Sequence, residues 1–150
     1  MIKKKYMIVM LLFSLPFMTN AQGKPKFTFN HAAIYVTNLK RTGEFYTQVM
    51  GLDTIPEPFH DGRHIWLDIG FGRQMHIIQG AEKEKEYFQN NHLCFNTPDV
   101  IGFTKLLENK SISWVDAKGN PNKITTRVDG VLQVFLKDPD GYWIEVNNAK

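Results

Sequence analysis

The sequence predicts an α+β domain made of two βαβββ modules that together form a curved mixed sheet. Three observations carry this reading. Alternating strand patterns and amphipathic helical patterns follow one another in the same order twice. The dipeptide Asn30-His31 recurs as Asn91-His92 at the head of each run. Glycine, proline and aspartate turns punctuate both runs. The modules are expected at about residues 29–80 and 91–148, inside a single domain of residues 22–150.

Residues 1–21 read as an address that precedes this domain. Lys3-Lys4-Lys5 is a positive n-region, residues 7–18 are an apolar stretch, and Thr19-Asn20-Ala21 ends on small residues. This is the pattern of a secretory signal cleaved near Ala21. The apolar stretch is shorter than the roughly 20 residues that span a bilayer. The expectation is therefore export to a periplasmic or extracellular space, with no stable membrane association after cleavage. Of the 18 basic residues, three are Lys3, Lys4 and Lys5, so the remainder balances 15 basic against 15 acidic residues. A formally neutral domain lacks the basic stripe that a nucleic-acid binder shows. Cys94 is the single cysteine, so no internal disulfide braces the chain.

Residues 27–36 read as a strand, with His31, Ala33 and Tyr35 on one face and Ala32, Ile34 and Val36 on the other. Thr37-Asn38 supplies a helix cap, Thr42, Phe45, Tyr46, Val49 and Met50 recur at helical spacing, and Gly51 ends the helix. Gly43 weakens it. Residues 52–58 are extended, and His60-Asp61-Gly62 marks a turn with His60 and His64 exposed beside it. Residues 64–69 and 74–79 are strands, with Trp66, Leu67 and Ile69 assigned to the core. Residues 81–91, rich in Glu and Lys, form a solvated connector. The second run repeats the order: a strand at 91–95, then a helix opened by Pro98-Asp99 with Val100, Phe103, Leu106 and Leu107 inward. Strands follow at 112–115, 123–127, 131–137 and 142–147. Asp129-Gly130 and Asp138-Pro139-Asp140-Gly141 are turns.

Four residues sit at matching places of this duplicated unit. His31 and His92 open the first strand of each half, while His76 and Glu145 lie in the last. Imidazole and carboxylate are ligands for Zn, Ni, Mn or Fe. A carboxylate in an apolar strand is costly when buried and unpaired, and a divalent cation relieves that cost. Tyr35, Cys94, Asn96, Trp143 and Asn147 are two or four positions from a ligand, hence on the same strand faces. Of these, Tyr35, Asn96, Trp143 and Asn147 are expected to line a substrate pocket, and Cys94 to be a packed thiol. Arg127, in a strand of the second half, is the preferred arginine for a substrate anion.

The stretches "HAAIYVTNLKRTGEFYTQVMGL", "GRQMHIIQG", "NHLCFNT" and "VLQVFLKDPDGYWIEV" resemble the vicinal oxygen chelate superfamily, over about residues 29 to 147. That superfamily includes glyoxalase I, methylmalonyl-CoA epimerase, extradiol dioxygenases, fosfomycin-resistance enzymes and bleomycin-binding proteins. The resemblance implies the glyoxalase/bleomycin-resistance fold of paired βαβββ modules. It implies one divalent metal ion on His31, His76, His92 and Glu145, and a small substrate whose enolate or oxyanion is stabilised there. Glu145 is then the proton-transferring base. Glyoxalase I carries Glu, and the epimerase Gln, where this chain has His76. In the dioxygenases two His and one Glu form the ligand set. Three readings stand: a glyoxalase-like lyase or isomerase, a ring-cleaving dioxygenase, and a metal-free drug-binding protein of the bleomycin type. The complete donor set favours the first. Glutathione is scarce outside the cytosol, which argues against a lactoylglutathione substrate. The paired modules of this superfamily meet either within one chain or across a homodimer, and this length is compatible with both.

Overall fold

A computed structural model describes residues 26–150; the signal-peptide reading, on residues 1–21, lies outside the described residues. No helix among the described residues is long and apolar enough to cross a membrane. Eleven elements follow in order: β1 (His31–Val36), α1 (Leu39–Gln48), β2 (Thr54–Ile55), β3 (His64–Asp68), β4 (Gln74–Gln79), β5 (His92–Asn96), α2 (Val100–Asn109), β6 (Trp114–Val115), β7 (Thr125–Thr126), β8 (Leu132–Lys137) and β9 (Trp143–Asn147).

Each module forms its own mixed sheet. The first has the order β1-β4-β3-β2 and the second β5-β9-β8-β6, with β7 a two-residue arm on β8. In both, the first strand runs parallel to the last, and the remaining pairs are antiparallel. The duplication anticipated from Asn30-His31 and Asn91-His92 is therefore a duplication of topology.

The helices begin where their caps dictate. Asn38 Oδ1 accepts from the Arg41 N–H at 2.9 Å, and Asp99 Oδ1 accepts from the Gly102 N–H at 2.7 Å. Strand parity then sorts the side chains. Ile34 and Val36 of β1, Met75 and Ile77 of β4, and Ile144 and Val146 of β9 point to the helix side and join one buried core. Gly43 is explained by this packing: a methyl group there would meet Ile65 Cδ1, so its absence lets α1 lie close on β3.

Several expectations need correction. Residues 27–30 do not join β1, which starts at His31: its partner β4 starts at Gln74, whose N–H donates to the Asn30 carbonyl at 3.3 Å, and the strand pairing extends no further back. Leu106 is at the rim of α2 and 36% exposed, since Thr104 and Leu107 take the inward positions. Arg127 follows β7 and stands in the hairpin turn, where its N–H donates to the Val131 carbonyl. His64 lies inside β3 and is half-buried, with Nδ1 2.8 Å from Asp61 Oδ1.

The Asp138–Gly141 turn does more than reverse the chain. Asp138 and Asp140 are buried, and they accept hydrogen bonds from the first module. Tyr46 Oη donates to Asp138 Oδ2 at 3.1 Å; Thr42 Oγ1 donates to Asp140 Oδ2 at 2.5 Å; the Thr37 N–H and hydroxyl donate to Asp140 Oδ1. Arg41, ion-paired with Glu84 at 2.8 Å, also donates to the Pro139 carbonyl. These bonds fasten α1 of one module to the β8–β9 turn of the other. The connector is docked too: Tyr87 stacks on Tyr142 at 4.5 Å.

Candidate functional site

Opposite the core, each sheet presents a face that carries two of the four expected donors. In the first module, β1 and β4 pair His31 with Gln74 and Ala33 with His76. The two histidines are thus one pleat apart on adjacent strands, within reach of each other. Their rings stack with centroids 4.4 Å apart. Trp66, across from His76 on β3, covers the other side of that ring at 3.9 Å. Trp66 therefore belongs to this face, while Leu67 beside it enters the core. His31 Nδ1 lies 2.7 Å from Asn30 Oδ1, and His76 Nε2 3.2 Å from Gln74 Oε1. Loss of water around its ring holds His76 below the ordinary imidazole range, and His31 and His64 push the same way.

In the second module, β5 and β9 pair His92 with Trp143 and Cys94 with Glu145, the same one-pleat offset. His92 Nε2 is 3.0 Å from Glu145 Oε2, and His92 Nδ1 is 2.7 Å from the Gln89 carbonyl oxygen. A carbonyl only accepts, so Nδ1 carries the proton. In a neutral ring the Nε2 lone pair then faces a carboxylate oxygen, a repulsive arrangement that a proton or a metal cation relieves. Glu145 is 8% exposed, so water does little to soften it. The donor chemistry of this pair fits a divalent cation, with His92 oriented from behind by a carbonyl as metal-binding histidines commonly are.

Among the described residues, no three His, Cys, Asp or Glu side chains come together to hold an ion. The four expected ligands are thus brought together as two pairs, one per module.

The other expected site residues lie around these pairs. Trp143 is half-buried, its indole N–H donates to the Tyr87 carbonyl at 2.8 Å, and Lys137 Nζ sits 5.0 Å from its ring. Tyr35 is exposed on β1, and its backbone N–H and carbonyl both meet the Tyr142 hydroxyl. Asn96 donates to the Ala149 carbonyl. Arg127 Nη2 is paired with Asp129 Oδ2 at 2.7 Å, so its charge is already engaged. Asn147 is buried, with its amide bonded to Glu145 and Cys94. Cys94 is exposed on the site face, which corrects the packed-thiol expectation. Its thiol is pushed up to about 11 by loss of water around the sulfur and by the Glu145 charge, so it is no nucleophile near neutral pH.

Gln74, Gln89, Trp66 and Phe135 were not singled out for the site from sequence. Strand parity would have found Trp66 and Phe135, each opposite a donor. Gln89 acts through its backbone carbonyl, which leaves no trace in residue type.

Two βαβββ modules, each with a polar pair on the face away from the core, define a paired-module protein whose candidate donors are divided between two sheet faces. A family model described as the Glyoxalase/Bleomycin resistance protein/Dioxygenase superfamily matches residues 28–146, and the chain belongs to that superfamily. It is 24% identical over 156 residues to a lactoylglutathione lyase of Pseudomonas aeruginosa, covering 83% of this chain and 84% of that protein. Among solved structures it resembles Oxidase ChaP-H2, with a TM-score of 0.69 at 18% identity over 84% of this chain and 96% of that one. It likewise resembles the fosfomycin resistance protein FosX of Listeria monocytogenes, with a TM-score of 0.65 at 15% identity over the same shares, 84% and 96%.

Proposed function

We propose that the chain is an exported, metal-dependent enzyme of the glyoxalase-like lyase or isomerase type, acting on a small oxygen-bearing substrate. His31, His76, His92 and Glu145 would hold one divalent ion, Zn, Ni, Mn or Fe. The observation that carries this reading is the apposition of His92 Nε2 and Glu145 Oε2 at 3.0 Å, in a register repeated by His31 and His76. Because the described residues of one chain gather only two of these donors at a time, a homodimer would complete the set, with the β1–β4 face of one copy against the β5–β9 face of the other.

When bound, the ion supplies Lewis-acid stabilisation of negative charge that develops on a substrate oxygen. As the base, Glu145 would accept the substrate proton in place of holding the ion, and would return it to the neighbouring atom. His92, fixed by the Gln89 carbonyl, keeps its orientation throughout. Trp66 and Phe135 flank the two pairs and exclude water. Tyr35, Asn96 and Trp143 would contact the rest of the substrate. The likeness to a lactoylglutathione lyase supports the reaction class. The export signal read in residues 1–21 argues against a glutathione conjugate as the substrate.

The test is elemental analysis of the chain from Gln22 to Lys150, beside a His31→Ala/Glu145→Ala variant, after incubation with each ion in turn. About one ion per chain, lost in the variant, supports the reading. No ion in either protein overturns it and leaves a metal-free binding protein.

A second reading, a dioxygenase that uses His31, His92 and Glu145 alone, is favoured by one observation. His76 is enclosed between His31 and Trp66, and its Nε2 lies beside Gln74. Two His and one carboxylate leave open positions for oxygen and substrate.

A further inference from the structure

We infer that Asn147, with the residues that follow it, is a clamp that sets the direction of the Glu145 carboxylate. The inference rests on reading His92 and Glu145 as half of a metal site. Asn147 closes β9 on the same face as Glu145, and it is 6% exposed. Its Nδ2 lies 2.8 Å from Glu145 Oε1 and 3.1 Å from Cys94 Sγ, which engages both amide hydrogens. Its Oδ1 accepts from the Ala149 N–H at 3.0 Å. A backbone N–H only donates, so this bond fixes which end of the amide faces Glu145.

The tail that supplies the Ala149 N–H is itself pinned from two sides. Asn96 of β5 donates to the Ala149 carbonyl. Leu132 of β8 donates to Asn148 Oδ1 at 2.8 Å and accepts from the Asn148 N–H at 3.2 Å. Asn147 therefore has little freedom to turn. Glu145 Oε1 is taken, and Oε2 is the oxygen left to face His92.

Comparison of the modules shows that the fold does not ask for this amide. In the first module β1 pairs Tyr35 with Ile78, where β5 pairs Asn96 with Asn147. Ile78 thus occupies the matching place, an apolar residue in an otherwise equivalent sheet. A buried amide costs free energy unless it is bonded, and here its bond to a carboxylate is the strong, charge-assisted kind. Asn147 is a positioning residue: it acts through Glu145, by leaving one defined oxygen free.

The test compares the wild-type chain with Asn147→Leu, which keeps bulk and removes the donor, and with a chain ending at Asn148, which keeps Asn147 and removes its anchor. Titration calorimetry with Zn²⁺ alone and with Ni²⁺ alone should show binding weakened about 10–100-fold in Asn147→Leu. The shortened chain should lose less, in the same direction. The combined change should lose no more than Asn147→Leu by itself, because both act on one path. A purely structural role would lower the cation-free unfolding midpoint and leave affinity alone. Wild-type affinity in Asn147→Leu overturns the clamp, and if that variant does not fold, wild-type affinity in the shortened chain does so. Crystal structures of the cation-free proteins provide an arm independent of metal. Glu145 turned away or spread over several conformers in Asn147→Leu is the expected result, and Glu145 in its wild-type orientation overturns the inference. A wild-type chain that binds no divalent ion overturns the proposed function, and the crystallographic arm then still decides the clamp.

Discussion

Trp66 and Phe135 are counterparts: each lies directly across the sheet from the donor in the last strand of its module, Trp66 from His76 and Phe135 from Glu145. Their contacts differ. Trp66 stacks flat on His76, with 6° between the planes, whereas Phe135 meets His92 nearly edge-on, at 77°. A flat indole suits a neutral imidazole, and the electron-rich face of a ring repels a carboxylate. One duplicated frame thus holds two different chemistries, and the experiments below separate the contribution of each.

Replacing Glu145 by Gln keeps the shape and removes the charge. Bound metal should weaken about 10-fold or more, and turnover should vanish while the fold is retained. Elemental analysis and unfolding curves check this. Normal turnover in the variant would eliminate Glu145 as the base.

Two inactive chains should rescue one another if the site is completed between copies. A His31→Ala/His76→Ala chain and a His92→Ala/Glu145→Ala chain each lack half of every site. Unfolded and refolded together, they should form mixed dimers with one intact site, so that the isolated mixed dimers hold about half, and the whole mixture about a quarter, of the metal of the wild-type protein. No recovery in verified mixed dimers would place all four ligands on one chain.

His76 distinguishes the two enzymatic readings. With four ligands, His76→Ala should weaken metal binding by about 10-fold or more, and His76→Glu should restore it. With three, His76→Ala should keep the metal and change only the wall beside Trp66. Competition titration against a chelator of known affinity separates these outcomes.

The module junction should make stability depend on pH. Burial pushes the Asp138 carboxyl up to about 6 from 3.8, with the Asp140 charge adding to it. Between about pH 4 and pH 6 the folded chain holds a proton that the unfolded chain has released. Stability contributed through Asp138 therefore falls as pH rises across that window and is level above it. The fall is at most about 3 kcal/mol. Urea midpoints of the wild type and Asp138→Asn, compared at each pH, should converge toward pH 7 if the variant starts less stable at pH 4. A constant difference across the window would show that Asp138 does not titrate there.

Thr42→Val tests the other carboxylate of the junction. It removes the hydroxyl that donates to buried Asp140 at 2.5 Å and leaves the volume nearly unchanged. A hydrogen bond to a charged group contributes about 1.5–3 kcal/mol, and a loss of that size is expected in urea unfolding. A loss below about 0.5 kcal/mol, the range of neutral surface changes, would mean that the Thr37 bonds alone suffice.

The sequence by itself determined the two-module α+β plan, the helix N-caps Asn38 and Asp99, and the strand faces of His31, His76, His92 and Glu145, while the first helix stops at Gln48 with Val49 as its C-cap, short of Gly51. Those features follow from local rules: a two-residue period in strands, helical spacing of apolar side chains, and turn residues with special backbone angles. Only the tertiary structure decided three further matters. It divided the four donors into two pairs, because a ligand set depends on how sheets approach one another and the chain spacing between ligands encodes nothing of that. It turned the Asp138–Gly141 turn into the fastening between modules, because Thr37, Thr42 and Tyr46 reach it across about a hundred residues of chain. It aimed the Asn147 amide at Glu145, because the Ala149 N–H holds the other end. In each case the deciding contacts are hydrogen bonds of fixed direction, some between residues far apart in the chain and others to backbone atoms that residue identity does not reveal.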